Sequence, residues 1–222
     1  MILKILGGIT LALALSVLCA WNVHTTVSTE RTFNASVADV WRVWNDAESI
    51  KKWWGPKGYS ALVVRNDVRG GGSFVWAMKS EQGRMFWNTG TYKEVVANKK
   101  IVSTMSFSNE NGTVIPGSQV SVPGRWPDDI TVIVEFSDFQ GKTRVTVTEI
   151  GVPLIAYPLM KIGWAQQFDK IQLLFQKKLT RPLPPQLSLV DTLPREPKIR
   201  FQLRCRLSQT TNSFLELSPA TI

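Results

Sequence analysis

The sequence predicts an α+β domain in which a long helix late in the chain is clasped by an antiparallel sheet. Three observations lead there. Over residues 163–179, Trp164, Phe168, Ile171 and Phe175 recur at spacings of four, three and four, which places them on one face of an α-helix. Gln166, Gln167, Lys170, Lys177 and Lys178 fall largely elsewhere, so the helix is amphipathic and its apolar face needs a cover. Upstream, short β-like segments separated by Gly-, Asn- and Pro-containing turns supply that cover. Nine tryptophans and ten phenylalanines in 222 residues provide large side chains for the core between them.

Taken in order, residues 27–33 alternate enough for a first strand, which Asn34-Ala35-Ser36 stops. Ser36 is a good N-cap, with Asp39 three residues on. Val37, Val40, Trp41 and Trp44 then follow at helical spacing. A second short helix over 47–53 ends at Gly55-Pro56, where proline prevents continuation. Strands are predicted over 59–66, 73–79, 84–96, 101–108, 129–138 and 142–150. Gly70–72, Gly83, Gly112 and Gly141 mark turns between them. A Gly/Pro-rich loop spans 113–127. The long helix begins somewhere between residues 157 and 161.

Several motifs in this order resemble the Activator of Hsp90 ATPase homologue 1-like family, of the START-like (SRPBCC) superfamily. They are Trp41-x-x-Trp44, Trp53-Trp54-Gly55-Pro56-x-Gly58, Arg69-x-Gly71-Gly72, Gly90-x-Tyr92-x-Glu94-Val95 and Gly163-Trp164. The resemblance covers roughly residues 27–178. It implies a helix-grip fold: a sheet of about six or seven strands wrapped around the long C-terminal helix, with two short helices after the first strand. It is poorly specific for function, because the superfamily holds ligand carriers, cyclases, hydrolases and co-chaperone domains. The loop 113–127 is longer than is usual for the family.

Composition removes several chemistries. The single histidine, His24, and the two cysteines, Cys19 and Cys205, lie outside the central domain. They leave no His-based triad, no Cys/His zinc site and no disulfide framework. No metal and no cofactor is expected. The formal net charge of +9 permits anionic partners, but the basic residues are spread and the aromatics sit in strand segments. Nucleic acid is therefore not an expected partner. Gly70–72 precede a strand rather than a helix and lack a following Gly-Lys-Ser/Thr, so they read as a turn rather than a phosphate cradle.

A helix-grip fold implies a cavity between the long helix and the concave sheet face. Candidates to line it are Trp53, Trp76, Met78, Trp87, Tyr92, Met105, Phe107, Phe136, Glu149, Trp164 and Phe168. The same large side chains would serve equally as solid core. Glu149 and Tyr92 are the only candidates for acid–base work, and no nucleophile, base and orienting group come together. No catalytic residue is assigned. Asp128 and Asp129 read as turn residues.

The termini read differently. Lys4 precedes an apolar run over 5–23, close to the ~20 residues that span a bilayer. Val17/Cys19 and Leu18/Ala20 offer no clean cleavage site, so an uncleaved anchor is expected over a cleaved signal. With Lys4 inside, the domain would lie outside the cytoplasm, membrane-anchored, or else be secreted or periplasmic. From residue 180 the prolines and the loss of periodicity predict a disordered or loosely structured basic tail, with six Lys/Arg against three Asp/Glu. The expected organisation is thus 1–24 anchor or signal, 25–179 START-like domain and 180–222 tail. The expected function is non-catalytic binding of a small hydrophobic or amphipathic ligand. The alternatives are a polyketide-cyclase-like enzyme of the same superfamily and a stress- or chaperone-associated interaction domain. An Hsp90-type partner does not suit an exported chain.

Overall fold

The computed structural model describes residues 16–179. Seven strands, β1 (His24–Phe33), β2 (Tyr59–Asn66), β3 (Ser73–Ser80), β4 (Met85–Val96), β5 (Lys100–Ser108), β6 (Ile130–Phe139) and β7 (Lys142–Pro153), form one antiparallel sheet. Its spatial order is β1-β7-β6-β5-β4-β3-β2. The short helices α1 (Val37–Asn45) and α2 (Ala47–Trp53) lie between β1 and β2, and α3 (Tyr157–Leu179) follows β7. This is the helix-grip architecture that the sequence predicts.

Local chemistry explains the element boundaries. The Ser36 hydroxyl accepts the Asp39 N–H at 3.2 Å and starts α1. Asp46 ends α1 and caps α2, its carboxylate accepting the Ser49 N–H at 2.8 Å. Gly55, at φ +88°, then turns the chain out of α2 in a conformation that a side chain would strain. Bulges at 25/26, 61/63 and 92/94 interrupt the ladders. They add twist and help curl the sheet around its concave face.

Gly90 serves a different purpose, in an unstrained backbone. A Cβ there would stand 1.9 Å from the Thr104 carbonyl oxygen and 2.6 Å from Cζ of Phe74. The glycine of the Gly90-x-Tyr92 motif lets β4 bend against β5 beneath an aromatic ring.

Helix α3 buries Trp164, Phe168, Ile171 and Phe175, as its periodicity predicts. Phe168 meets Phe33 of β1 edge-on at 5.8 Å, and Trp164 stacks over Trp44 of α1 at 6.0 Å. Each fully buried large apolar side chain contributes about 1.5–3 kcal/mol. Gln167 departs from the expected pattern by being buried among them. Its Oε1 accepts the N–H of Gly55 at 3.0 Å, so a polar side chain on the inner face finds its partner there.

The expected anchor falls mostly on residues outside the described ones, and its last part, 16–22, is helical. Among the described residues no helix is long and apolar enough to cross a membrane. The predicted tail, 180–222, also lies outside the described residues.

Candidate functional site

Between the first turns of α3 and the sheet lies a cavity of about 420 Å³, within the range of small-molecule sites. Alternation along the strands decides what faces it. Met78 of β3, Phe86 and Asn88 of β4, and Met105 and Phe107 of β5 point into it, while α3 contributes Gly163, Trp164 and Gln167. The loop 113–127 forms one side of its mouth. Trp126 packs edge-on against Phe107 at 5.3 Å, and its indole N–H donates to the Pro123 carbonyl at 2.9 Å. Exposed Leu159 and Ile162 of α3 stand opposite.

Of the eleven sequence candidates, Met78, Met105, Phe107, Glu149 and Trp164 line this cavity. Trp53, Trp76 and Tyr92 border a separate hollow of about 30 Å³ within the aromatic core. Trp53 is wholly buried there, its indole N–H donating to the Val43 carbonyl at 3.0 Å. Phe136 packs on Trp41 and Trp44, and Phe168 on Phe33. Trp87 borders a second, more open recess of about 520 Å³ rather than the cavity. Strand parity explains it: Trp87 lies five positions before inward-facing Tyr92, so the two point to opposite faces.

The same parity could have found Phe86 and Asn88, which lie an even number of residues from Tyr92. Trp54, rather than its neighbour Trp53, reaches the cavity. Trp126 sits in a loop without periodicity, and nothing in its local sequence assigns it to the rim.

The polar centre of the cavity is Glu149. It ends the inward row Thr143, Val145, Val147, Glu149 of β7 and is 1% exposed. Burial among apolar groups pushes its carboxyl up from 4.5 to about 7, against a smaller opposing effect of the Trp164 indole N–H. That N–H is near enough to favour the charged carboxyl, but the pair falls short of hydrogen-bond geometry. Neither carboxyl oxygen has a protein hydrogen-bond partner, and neither do the indole nitrogens of Trp164 and Trp54. Tyr92, by contrast, donates its hydroxyl to Oδ1 of Asn66, and burial pushes its ionisation upward. Its hydroxyl is engaged in holding β4 to β2 and does not line the cavity.

One lip of the mouth is the segment between α2 and β2, and α3 fastens it. Besides Gln167 on Gly55, Gln166 Oε1 accepts the Lys57 N–H at 2.8 Å. The Lys170 ammonium donates to the carbonyls of Gly55, Pro56 and Tyr59 at 2.7, 3.0 and 3.0 Å. Exposed Lys57 and Arg84 leave a cationic fringe at the lip. At the opposite side, the Arg125 N–H donates to the Trp21 carbonyl at 2.9 Å and the Leu154 N–H to the Val23 carbonyl at 2.7 Å. His24 Nε2 donates to the Arg125 carbonyl at 2.7 Å. These bonds fix the end of the apolar run beside the mouth. Among the described residues no group of three His, Cys, Asp or Glu side chains could hold a metal ion.

A model of the family described as Activator of Hsp90 ATPase homolog 1-like protein matches residues 34–176, well over half of the chain. The chain belongs to the Activator of Hsp90 ATPase homolog 1-like family. Solved structures agree on the fold. A protein from Nitrosomonas europaea is 24% identical with a TM-score of 0.55, the match covering 70% of this chain and 97% of that one. A protein from Chromobacterium violaceum is 21% identical with a TM-score of 0.57, covering 67% and 95%. An AHSA1-like protein from Aeromonas hydrophila is 20% identical with a TM-score of 0.54, covering 72% and 98%. At these identities the likeness speaks for the fold alone. None of the curated proteins matches the chain. The family's motif residues have structural reasons here: Trp44 and Trp53 build the core, Gly55 turns the lip, and Gly90 admits Phe74.

Proposed function

We propose that this member of the Activator of Hsp90 ATPase homolog 1-like family is a non-catalytic binding domain for a small hydrophobic or amphipathic molecule, tethered to a membrane by the run 5–23. The observation that carries the reading is the cavity of about 420 Å³, walled by methionines and aromatic rings around one buried carboxyl. An apolar wall of this kind favours an apolar body, and methionine side chains adapt to its outline. Exposed apolar side chains beside the mouth support the tether. Trp21 and Val23 on one strand entry, and Leu154, Leu159 and Ile162 before and within α3, all keep more than two-fifths of their surface in contact with solvent. They continue the apolar character of the run 5–23 around the opening, and a domain held there outside the cytoplasm would suit Lys4 on the inner side. Lipid extraction and mass spectrometry of the full chain, purified in mild detergent, tests the binding function: a small molecule should co-purify or raise the Tm. Flotation of the full chain with vesicles tests the tether, and a fusion reporter tests the side on which the domain lies.

A second reading, a cavity enzyme with Glu149 as acid or base, is favoured by one observation: a carboxyl pushed up to about 7 can both give and take a proton near neutral pH. It needs a second reacting group. The Tyr92 hydroxyl is bound to Asn66 away from the cavity, so binding remains the better-supported function.

A further inference from the structure

We propose that the molecule taken by this cavity is an apolar body carrying a hydroxyl group, read by Glu149 together with the indole N–H groups of Trp164 and Trp54. The inference rests on the binding function proposed above and names the chemistry of the ligand's polar end.

The argument is a hydrogen-bond account of one cavity wall. Buried polar groups normally find partners, and each one that lacks a partner calls for an explanation. Here both oxygens of Glu149 and the indole nitrogens of Trp164 and Trp54 are buried without a protein partner, and all three side chains line the cavity. Even a bond drawn between Trp164 and Glu149 would leave the second carboxyl oxygen and the Trp54 N–H unmet. The wall therefore offers acceptors and donors together. A hydrocarbon answers neither. An ammonium group answers the carboxylate but leaves the indoles without an acceptor, and brings a charge into an apolar space. A carboxylate answers the indoles but brings a charge into the apolar space, and faces a second negative charge wherever Glu149 is ionised. A hydroxyl donates to the carboxyl oxygen and accepts from an indole N–H, without adding charge.

Of the other polar side chains, Asn88, Ser106 and Ser121 also line the cavity and are uncharged, so a neutral hydroxyl suits them as well. Gln167 is engaged with Gly55, and Gln166 with Lys57. Lys57 and Arg84 are exposed at the lip. Phe107, Met105 and Met78 take the apolar body farther along the sheet face.

The test uses four probes that share one ring system and differ at the polar end: naphthylmethanol, naphthylmethylamine, naphthoate and methylnaphthalene. Each is titrated into the full chain in detergent by calorimetry or by thermal shift. Naphthylmethanol should bind roughly tenfold or more tighter than each of the others, the scale of one buried polar group left unpaired. Glu149→Met should bring the alcohol and the hydrocarbon to nearly equal affinity, while Glu149→Gln, which keeps an acceptor and a donor, should retain the preference. Trp164→Phe should weaken the alcohol and leave the hydrocarbon unchanged. Tightest binding of the amine or the acid overturns the proposal. So does equal binding of alcohol and hydrocarbon by the unmodified chain, although the cavity would then still be a binding site. Failure of all four probes, together with no co-purified molecule, overturns both.

Discussion

The Lys170 ammonium donates to the Gly55 carbonyl at 2.7 Å, joining the middle of α3 to the turn that ends α2, 115 residues earlier in the chain. Partial burial lowers the pKa of this half-buried lysine, and three backbone carbonyls accept its hydrogen bonds. Lys170 therefore acts as a clasp between the helix and the lip of the cavity.

Replacing it tests the clasp. Lys170→Met keeps the aliphatic stem and removes the three donors, leaving carbonyls without a charged partner. A loss of about 2 kcal/mol is expected in chemical denaturation. Hydrogen exchange should quicken at Lys57 and Tyr59 more than at the β6–β7 ladder. Equal quickening throughout would mean that the side chain only stabilises the domain globally.

Glu149 makes stability depend on pH with a definite sign. Its carboxyl rises from 4.5 in the unfolded chain to about 7 in the fold. Below pH 4.5 both states hold the proton and the site adds no pH dependence. As pH rises toward 7, the unfolded chain releases its proton while the folded chain keeps it, so stability falls. The total is about 3 kcal/mol, and the curve is flat above the folded value. Comparing the unmodified chain with Glu149→Gln cancels groups common to both, including Asp46, whose bonds to Ser49 act in the opposite sense at lower pH. The difference between the two stability curves should grow between pH 4.5 and 7 and then stay constant. A difference independent of pH would contradict the buried, unpartnered carboxyl.

Gly90→Ala should be among the most damaging single substitutions in the domain. Its Cβ has no room against the Thr104 carbonyl, and the backbone, unlike a flexible side chain, cannot yield without breaking the β4–β5 ladder. We expect a loss above about 3 kcal/mol or failure to fold, read by denaturation or soluble yield. Gly70→Ala, where a Cβ meets nothing within 4 Å, is the control and should change stability little.

Much of the fold was legible because its periodicities are strong. The spacing of Trp164, Phe168, Ile171 and Phe175 is helical and their burial follows, and the turn glycines bound the strands closely. The cavity was legible only in part. Met78, Met105, Phe107, Glu149 and Trp164 combine the right strand or helix face with a position near the start of α3. Trp53, Phe136 and Phe168 lie on buried faces too, but where α1, α2 and β1 close over them, and a face says nothing of depth along the fold. Trp126 and the partners of Lys170 depend on a loop and a turn meeting residues far away in sequence, which no local pattern encodes. Gln167 shows the same limit: its burial depends on a backbone N–H that only the tertiary structure supplies.

Gly163 offers the most direct test of the central claim that the space beneath α3 holds a ligand. It lies inside the helix, lines the cavity, and a Cβ added there meets nothing within 4 Å. Gly163→Leu should therefore project a branched side chain into the ligand's space from an unobstructed Cβ, and should raise stability by about 1 kcal/mol because glycine is replaced by a good helix former. The measurement compares small molecules retained by the full chain and by Gly163→Leu, with mass spectrometry after identical purification, alongside the Tm of each. The account predicts a more stable variant that has lost the molecule the unmodified chain carries, and equal retention by both proteins would contradict it.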